Sequence, residues 1–360
     1  MKSVLPVRLV CGALVTVLAA ACTGAASQPP SASAPPPSES SGPASASAPA
    51  SASASPTKPP HADVTLQVDF YPDMTDAPMQ YGINKGYFED EGITLTILPS
   101  NGSQATLQQI NANKIQFGYV DAPTYTVARM KNATPTTAIY AYFEKSTFAI
   151  WSRKPLNSPS DMIGTTFATV PSSAGRVNLP FVLQKNGVDP SKVKVDLMDF
   201  SVLYQQLFKG AIDSAEAGLP GDEASFLTAE KQGQKLYLVP ASDWGFLDYP
   251  KMLIARNEII QSNPDLVRRL VRAIHHSLTD ALANASDADM LAAAKVLDPQ
   301  IDADAAKLGW DDVKKYESGE HGPLSADVFA EAIDLAKQSQ NLTTTLKPED
   351  LFTNEFVPAQ

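Results

Sequence analysis

Asp73, Asp76 and Asp121 each stand in a short loop between a strand-like run and a helix-like run. A carboxylate in such a loop accepts hydrogen bonds from ring N–H or exocyclic amino groups. Buried without a donor it would be costly, so a ligand bearing N–H groups suits these positions; a solvated cap is the plain alternative. Two further loops, Asn101-Gly102-Ser103 and Ser172-Ser173-Ala174-Gly175, are small, hydroxyl-rich and lead directly into helices. Their backbone N–H groups suit a carbonyl, hydroxyl or anion, or an ordinary helix cap. Arg176 is the only arginine on these loops and could pair with Asp121 or with an anionic ligand. Tyr71, Tyr125, Phe200 and Trp244 could offer a flat ligand a stacking face, or could serve the core.

Other chemistries lack their residues. The only cysteines are Cys11 and Cys22, and His61, His275, His276 and His321 show no metal spacing. No bound metal, cofactor or catalytic activity is expected.

The loops are positioned by alternating strands and helices. Val64-Thr65-Leu66-Gln67-Val68-Asp69-Phe70 alternates at period two and predicts a strand. A helix over 79–88 stopping at Gly86, a strand over 93–98, a helix over 104–113 and a strand over 117–120 follow. This β-α-β-α-β order argues a parallel sheet with helices on both faces. The same order restarts: a strand over 165–170, a helix ending near Gly187, a strand over 193–197, a helix over 202–210 and a strand over 213–217. Two such units predict two α/β lobes with a cleft between them. In open α/β sheets ligands sit beyond the carboxyl ends of the strands. That rule puts loops 71–76, 100–104, 121–124, 170–176 and 217–220 around the cleft, adding Asn101, Ser103, Thr124, Ser172, Ser173 and Gly218 to the candidate contacts. The last third reads as mostly helical. Asn263-Pro264 caps a helix with a core stripe of Leu266, Val267, Leu270, Val271, Ile274, Leu278 and Leu282, while Arg268, Arg269 and Arg272 read as a solvated face.

The N-terminal stretch predicts export. Lys2 and Arg8 precede a 13-residue apolar or small run over 9–21, too short to span a bilayer. Its end, Leu18-Ala19-Ala20-Ala21-Cys22, resembles a bacterial lipobox, which implies cleavage before Cys22 and acylation of its thiol. Of residues 23–61, 31 are Ser, Ala or Pro, a composition unable to bury enough apolar surface to fold. Fully extended, such a tether reaches roughly 120 Å. Without residues 1–21 the chain carries 26 basic and 39 acidic residues, a net charge of −13. That balance argues against nucleic acid or anionic lipid headgroups as partners.

Four segments in register carry a family resemblance. They are Asp69-Phe70-Tyr71-Pro72-Asp73 with Gly86-Tyr87-Phe88-Glu89-Asp90-Glu91-Gly92; Leu207-Phe208-Lys209-Gly210-Ala211-Ile212-Asp213; residues 259–267; and Leu351-Phe352-Thr353-Asn354-Glu355-Phe356-Val357-Pro358. The chain resembles the periplasmic-type solute-binding proteins of ABC importers, in the branch that binds the pyrimidine precursor of thiamine, sulfonates, nitrate and flavin-like heterocycles. The resemblance implies a two-lobe, type II periplasmic-binding-protein fold. Lobe 1 would comprise 62–150 and 250–360, and lobe 2 would comprise 151–249. Hinges are expected near Trp151-Ser152-Arg153 and over 243–251. It also implies a monomer that delivers a small molecule to a membrane permease and touches the membrane only through its lipid. In the first loop Asp73 replaces an asparagine and Asp76 stands where the thiamine-precursor branch has histidine, while Ala77-Pro78 looks more like flavin binders. A small nitrogen heterocycle is therefore the leading ligand class. A small oxyanion, or a ligand-sensing lipoprotein of the same fold, are the alternatives.

Overall fold

The structure is a computed structural model that describes residues 59–317 and 321–359. Cys22, the expected leader and nearly all of the tether lie outside the described residues. Ten strands form two sheets. β1 (Ala62–Gln67), β2 (Ile93–Leu98), β3 (Phe117–Val120), β4 (Thr136–Phe143) and β10 (Lys251–Arg256) build the first, in the order β2-β1-β3-β10-β4. β5 (Phe148–Ser152), β6 (Thr166–Thr169), β7 (Lys194–Leu197), β8 (Ser214–Gly218) and β9 (Tyr237–Pro240) build the second, in the order β7-β6-β8-β5-β9.

Both sheets follow one plan. β2, β1 and β3 pair in parallel, as do β7, β6 and β8. β10 then runs antiparallel between β3 and β4, and β5 runs antiparallel between β8 and β9. Four strands of each sheet thus run in one direction and one runs against them, so the sheets are mostly parallel, as expected, with one antiparallel strand each. The antiparallel strand has a cause in connectivity: β5 and β10 each arrive from the other sheet with no α-helical crossover to turn the chain round. β4, β5 and β10 are continuous apolar runs buried on both faces, so they lack the period-two signature that exposes β1 and β2 to sequence reading.

The chain crosses between sheets at 144–147 and at 241–250. The first crossing precedes the expected hinge at 151–153. Trp151 is instead a buried residue of β5, packed edge-on to Tyr204 and Phe226 with ring centroids 5.0 and 4.9 Å away.

Helix Pro264–Asn284 covers one face of the first sheet with the stripe read from sequence, and Asn263 caps it by accepting from the Leu266 N–H at 3.2 Å. Arg269 departs from the expected solvated face. It is buried, and its guanidinium pairs with Asp265 while also donating to the Glu91 carbonyl. Below both sheets lies one continuous apolar cluster containing β4, β5 and β10 side chains. Helix Ala326–Gln340 packs there against helix Ala122–Met130 and helix Gly175–Lys185, joining the two halves opposite the cleft. The C-terminal clip closes this arrangement. Ala138 of β4 exchanges backbone hydrogen bonds with Leu351 and Thr353, and Phe352 stacks on Phe329 at 5.2 Å.

Phe329 is fully buried against Tyr125, Tyr249 and Phe352. Phe329→Ala should cost about 3–5 kcal/mol, read as a lower urea midpoint with an unchanged m-value.

Candidate functional site

The strand ends of the two sheets face each other across a cavity of about 860 Å³, counting the part open to solvent. The loops around it already touch. The Gln104 N–H donates to the Ser172 carbonyl at 3.2 Å, and Phe70 of the first sheet meets Phe200 of the second at 5.2 Å, edge to face. Gly102 makes the loop contact achievable: its φ is +130°, and a Cβ there would stand 2.1 Å from the Ser172 carbonyl oxygen.

The centre of the site is Lys251, a residue that the sequence reading assigned only to a hinge. It is the first residue of β10, buried on the second crossover. Its ammonium donates to Thr75 Oγ1 at 2.6 Å and Asp76 Oδ1 at 2.8 Å, and pairs with Asp69 Oδ1 at 3.1 Å. Burial works against the charge on Lys251, but Asp69, Asp76 and Asp73 outweigh it and raise its pKa. Two hydrogen bonds and an ion pair thus commit the ammonium to this chain's own oxygens.

Most carboxylates of the site are likewise engaged. Asp76 is buried on Lys251 and does not line the cavity, contrary to its expected role as a ligand acceptor. Asp73 lines the cavity but accepts from the Thr75 N–H at 2.7 Å and hydroxyl at 2.6 Å. Glu216 of β8 accepts from the hydroxyls of Thr169 and Ser173 and from the Gly175 N–H at 2.9 Å. Asp222 accepts from Tyr204 at 2.7 Å and from the Gly218 N–H at 2.6 Å. Asp121 caps helix Ala122–Met130 through Oδ1, which accepts from the Thr124 N–H at 2.8 Å, while Ser103 Oγ accepts from the Asp121 N–H.

The oxygens left over are specific. Asp121 Oδ2 and both carboxyl oxygens of Asp248 are buried with no hydrogen bond. Asp248 lies near the Ala122 and Tyr249 N–H groups, but neither contact reaches hydrogen-bond geometry.

Of the strand-end loop candidates, Ser103, Asp121, Ser173 and Gly218 line the cavity, and so does Phe200, a candidate on its aromatic ring. Others do not. Arg176 is exposed and donates to the Pro171 carbonyl at 2.9 Å, because the helix it opens turns that position outward. Trp244 is half-buried in the apolar cluster below the sheets, and its carbonyl accepts from Asn186. Tyr125 is a core residue whose hydroxyl donates to the carbonyls of Thr136 and Leu351. Thr124 is buried behind Asp121. Tyr71, Asn101 and Ser172 line an outer groove, where Tyr71 is 48% exposed and 6.2 Å from Phe200. Sequence reading missed Asp69, Glu216, Asp222, Asp248 and Lys251. The signal available was a charge beside apolar or small neighbours, as in Ser214-Ala215-Glu216-Ala217-Gly218 and Pro250-Lys251-Met252-Leu253.

Burial pushes Asp121 and Asp222 up to about 6 and Glu223 up to about 8. A raised carboxyl pKa contributes stability below the unfolded value, near 4, and that stability is lost as pH climbs through the folded value. His275, held below its usual range by burial, opposes this near pH 6 as a single group. The unliganded protein should therefore melt at a higher temperature at pH 5 than at pH 8; the reverse order would contradict the burial of these acids.

Comparison with known proteins agrees with this geometry. The riboflavin-binding protein RibY of Chloroflexus aurantiacus is 23% identical over 315 residues, covering 84% of this chain and 88% of that protein. The periplasmic aliphatic sulphonate binding protein SsuA of Escherichia coli superposes with a TM-score of 0.63 at 13% identity, over 80% of this chain and 91% of its own. A Candida albicans protein described as having the generic periplasmic binding protein fold superposes with a TM-score of 0.60 at 11% identity, over 84% and 98%. These likenesses show that the two mixed sheets form the periplasmic-binding-protein fold. The profile of the family described as NMT1/THI5 like matches residues 74–288, more than half of the sequence, and the chain belongs to that family.

Proposed function

We propose that this chain is the extracytoplasmic solute-binding protein of an ABC importer and captures a small nitrogen heterocycle of pyrimidine or flavin type. The observation that carries this reading is the accounting of the cavity's charged groups: buried carboxyl oxygens are left over, while the one ammonium in the lining is committed within the chain. Lys251 is held by Asp69, Asp76 and Thr75, Arg176 is outside, and the N–H of Gly175, at the start of helix Gly175–Lys185, is taken by Glu216. An oxyanion would meet carboxylates with no free cation. A heterocycle with N–H or amino groups meets free carboxyl oxygens and the rings of Phe70, Phe200 and Tyr204. The name of the riboflavin-binding relative supports the heterocycle, and the sulphonate-binding neighbour supports the fold alone.

Function then follows from closure. The two sheets are joined by two crossings, and ligand contacts bridge them, so bound ligand favours the closed population that a permease would recognise. The chain binds and releases without catalysis and acts as a monomer. Lipid attachment at Cys22, after an apolar run and before a Ser/Ala/Pro-rich stretch, would hold it at the outer face of the membrane.

A thermal-melt panel on the full chain, stripped of carried ligand by unfolding and refolding, tests this. At 100 times its dissociation constant a ligand should add about 2.7 kcal/mol. The expected result is a shift with a pyrimidine or flavin and none with taurine or nitrate. A shift with the anions alone would overturn the ligand class. Arg176→Ala should leave the affinity unchanged, while Phe200→Ala should weaken it severalfold, measured by calorimetry.

A further inference from the structure

Asp69, Asp73, Glu216 and Asp222 line the cavity and are each engaged by an ion pair or hydrogen bond within this chain. Asp121 and Asp248 remain. Each is only 2% exposed, each lines the cavity, and three of their four carboxyl oxygens have no hydrogen bond. Among the described residues lining the cavity, Lys251 is the only basic one, and it is committed to Asp69, Asp76 and Thr75. Two buried carboxyl groups thus lie in the lining of an aromatic-walled cavity, and among the described residues lining it no uncommitted cation faces them. A third acceptor, Asn178 Oδ1, is 1% exposed and unpartnered in the same lining, on the helix that follows β6.

We propose that Asp121 and Asp248 form the recognition point for a cationic N–H donor fork on the ligand, of the amidinium or protonated amino-heterocycle class. The inference rests on the cleft being a solute site and adds the charge and donor pattern of the solute. A planar fork delivers two N–H groups in fixed directions and matches carboxyl oxygens bidentately. Its positive charge offsets one of the two carboxylate charges and relieves their mutual repulsion, which adds to burial in raising Asp248. A neutral amide would satisfy the oxygens and leave the charges uncompensated. The arrangement is also placed to report binding. Asp121 hangs from β3 of the first sheet, Asn178 belongs to the second, and Asp248 lies on the crossing between them.

Calorimetry on the full chain with benzamidine, benzamide and benzoate tests the proposal, because the three share a ring and differ in charge and donors. Benzamidine should bind at least tenfold tighter than benzamide, and benzoate should not bind. Asp248→Asn should bring benzamidine and benzamide to within about threefold of each other, and Asp121→Asn should shift them in the same direction. At pH 8 Asp248→Asn should also raise the melting temperature of the unliganded protein, since it removes a carboxyl group whose ionisation burial and Asp121 oppose. Equal affinities for benzamidine and benzamide, no benzamidine binding, or an Asp248→Asn variant that melts lower with its ligand preference intact would overturn the proposal. If riboflavin or a pyrimidine binds and Asp248→Asn leaves that affinity unchanged, the cationic recognition fails while the solute-binding reading stands.

Discussion

Charge buried in the cleft must be balanced, and in this protein one ammonium carries most of that duty. Lys251 gathers Asp69 from the loop after β1, and Thr75 and Asp76 from the entry to helix Ala77–Lys85, onto the strand that returns from the second sheet. A buried ion pair adds little net stability when complete, but removing one partner costs about 3–5 kcal/mol. The lysine is therefore a constraint more than a glue. It fixes where the second crossing ends, and it removes the cavity's one cation from any role in holding an anion. The remaining character of the site follows: acid-rich, aromatic-walled and short of donors.

The architecture gives this site a way to respond. Both sheets place three parallel strands and one returning antiparallel strand side by side, and the returning strands lead from the two crossings. The apolar cluster and helix Ala326–Gln340 hold the halves together on the side away from the cavity. Motion is thus directed to the cavity side, where the loops meet through the Gln104–Ser172 hydrogen bond and the Phe70–Phe200 ring contact. Affinity is reduced by any cost of closing, so contacts that preform closure, such as the Gly102 approach to Ser172, improve it.

The exposed rhythm of the chain was legible and its buried centre was not. β2 and β3 were read at their observed bounds because strand alternation and flanking Gly and Asn mark them, and the cap at Asn263 was visible for similar reasons. β4, β5 and β10 hid because strands buried on both faces have no alternation. The same blindness affected the site. Ser103, Asp121, Ser173 and Gly218 were legible as cavity-lining positions, since topology alone puts strand-end loops there. Asp248 and Lys251 lie on and just after a crossing rather than in a βα loop, and the role of Lys251 depends on pairing across about 180 residues, which no local pattern encodes. Arg176 failed for a related reason: a one-residue step along a helix turns a side chain by 100°, enough to move it from cleft to solvent.

The most direct test is a crystal structure of the protein with the small molecule that it carries from its cells. The account predicts a ring against Phe70 and Phe200 with ligand N–H groups about 2.7–3.2 Å from the free oxygens of Asp121 and Asp248. A ligand that presents an anionic group to Lys251 or to the Gly175 N–H, displacing Asp76 or Glu216, would contradict it.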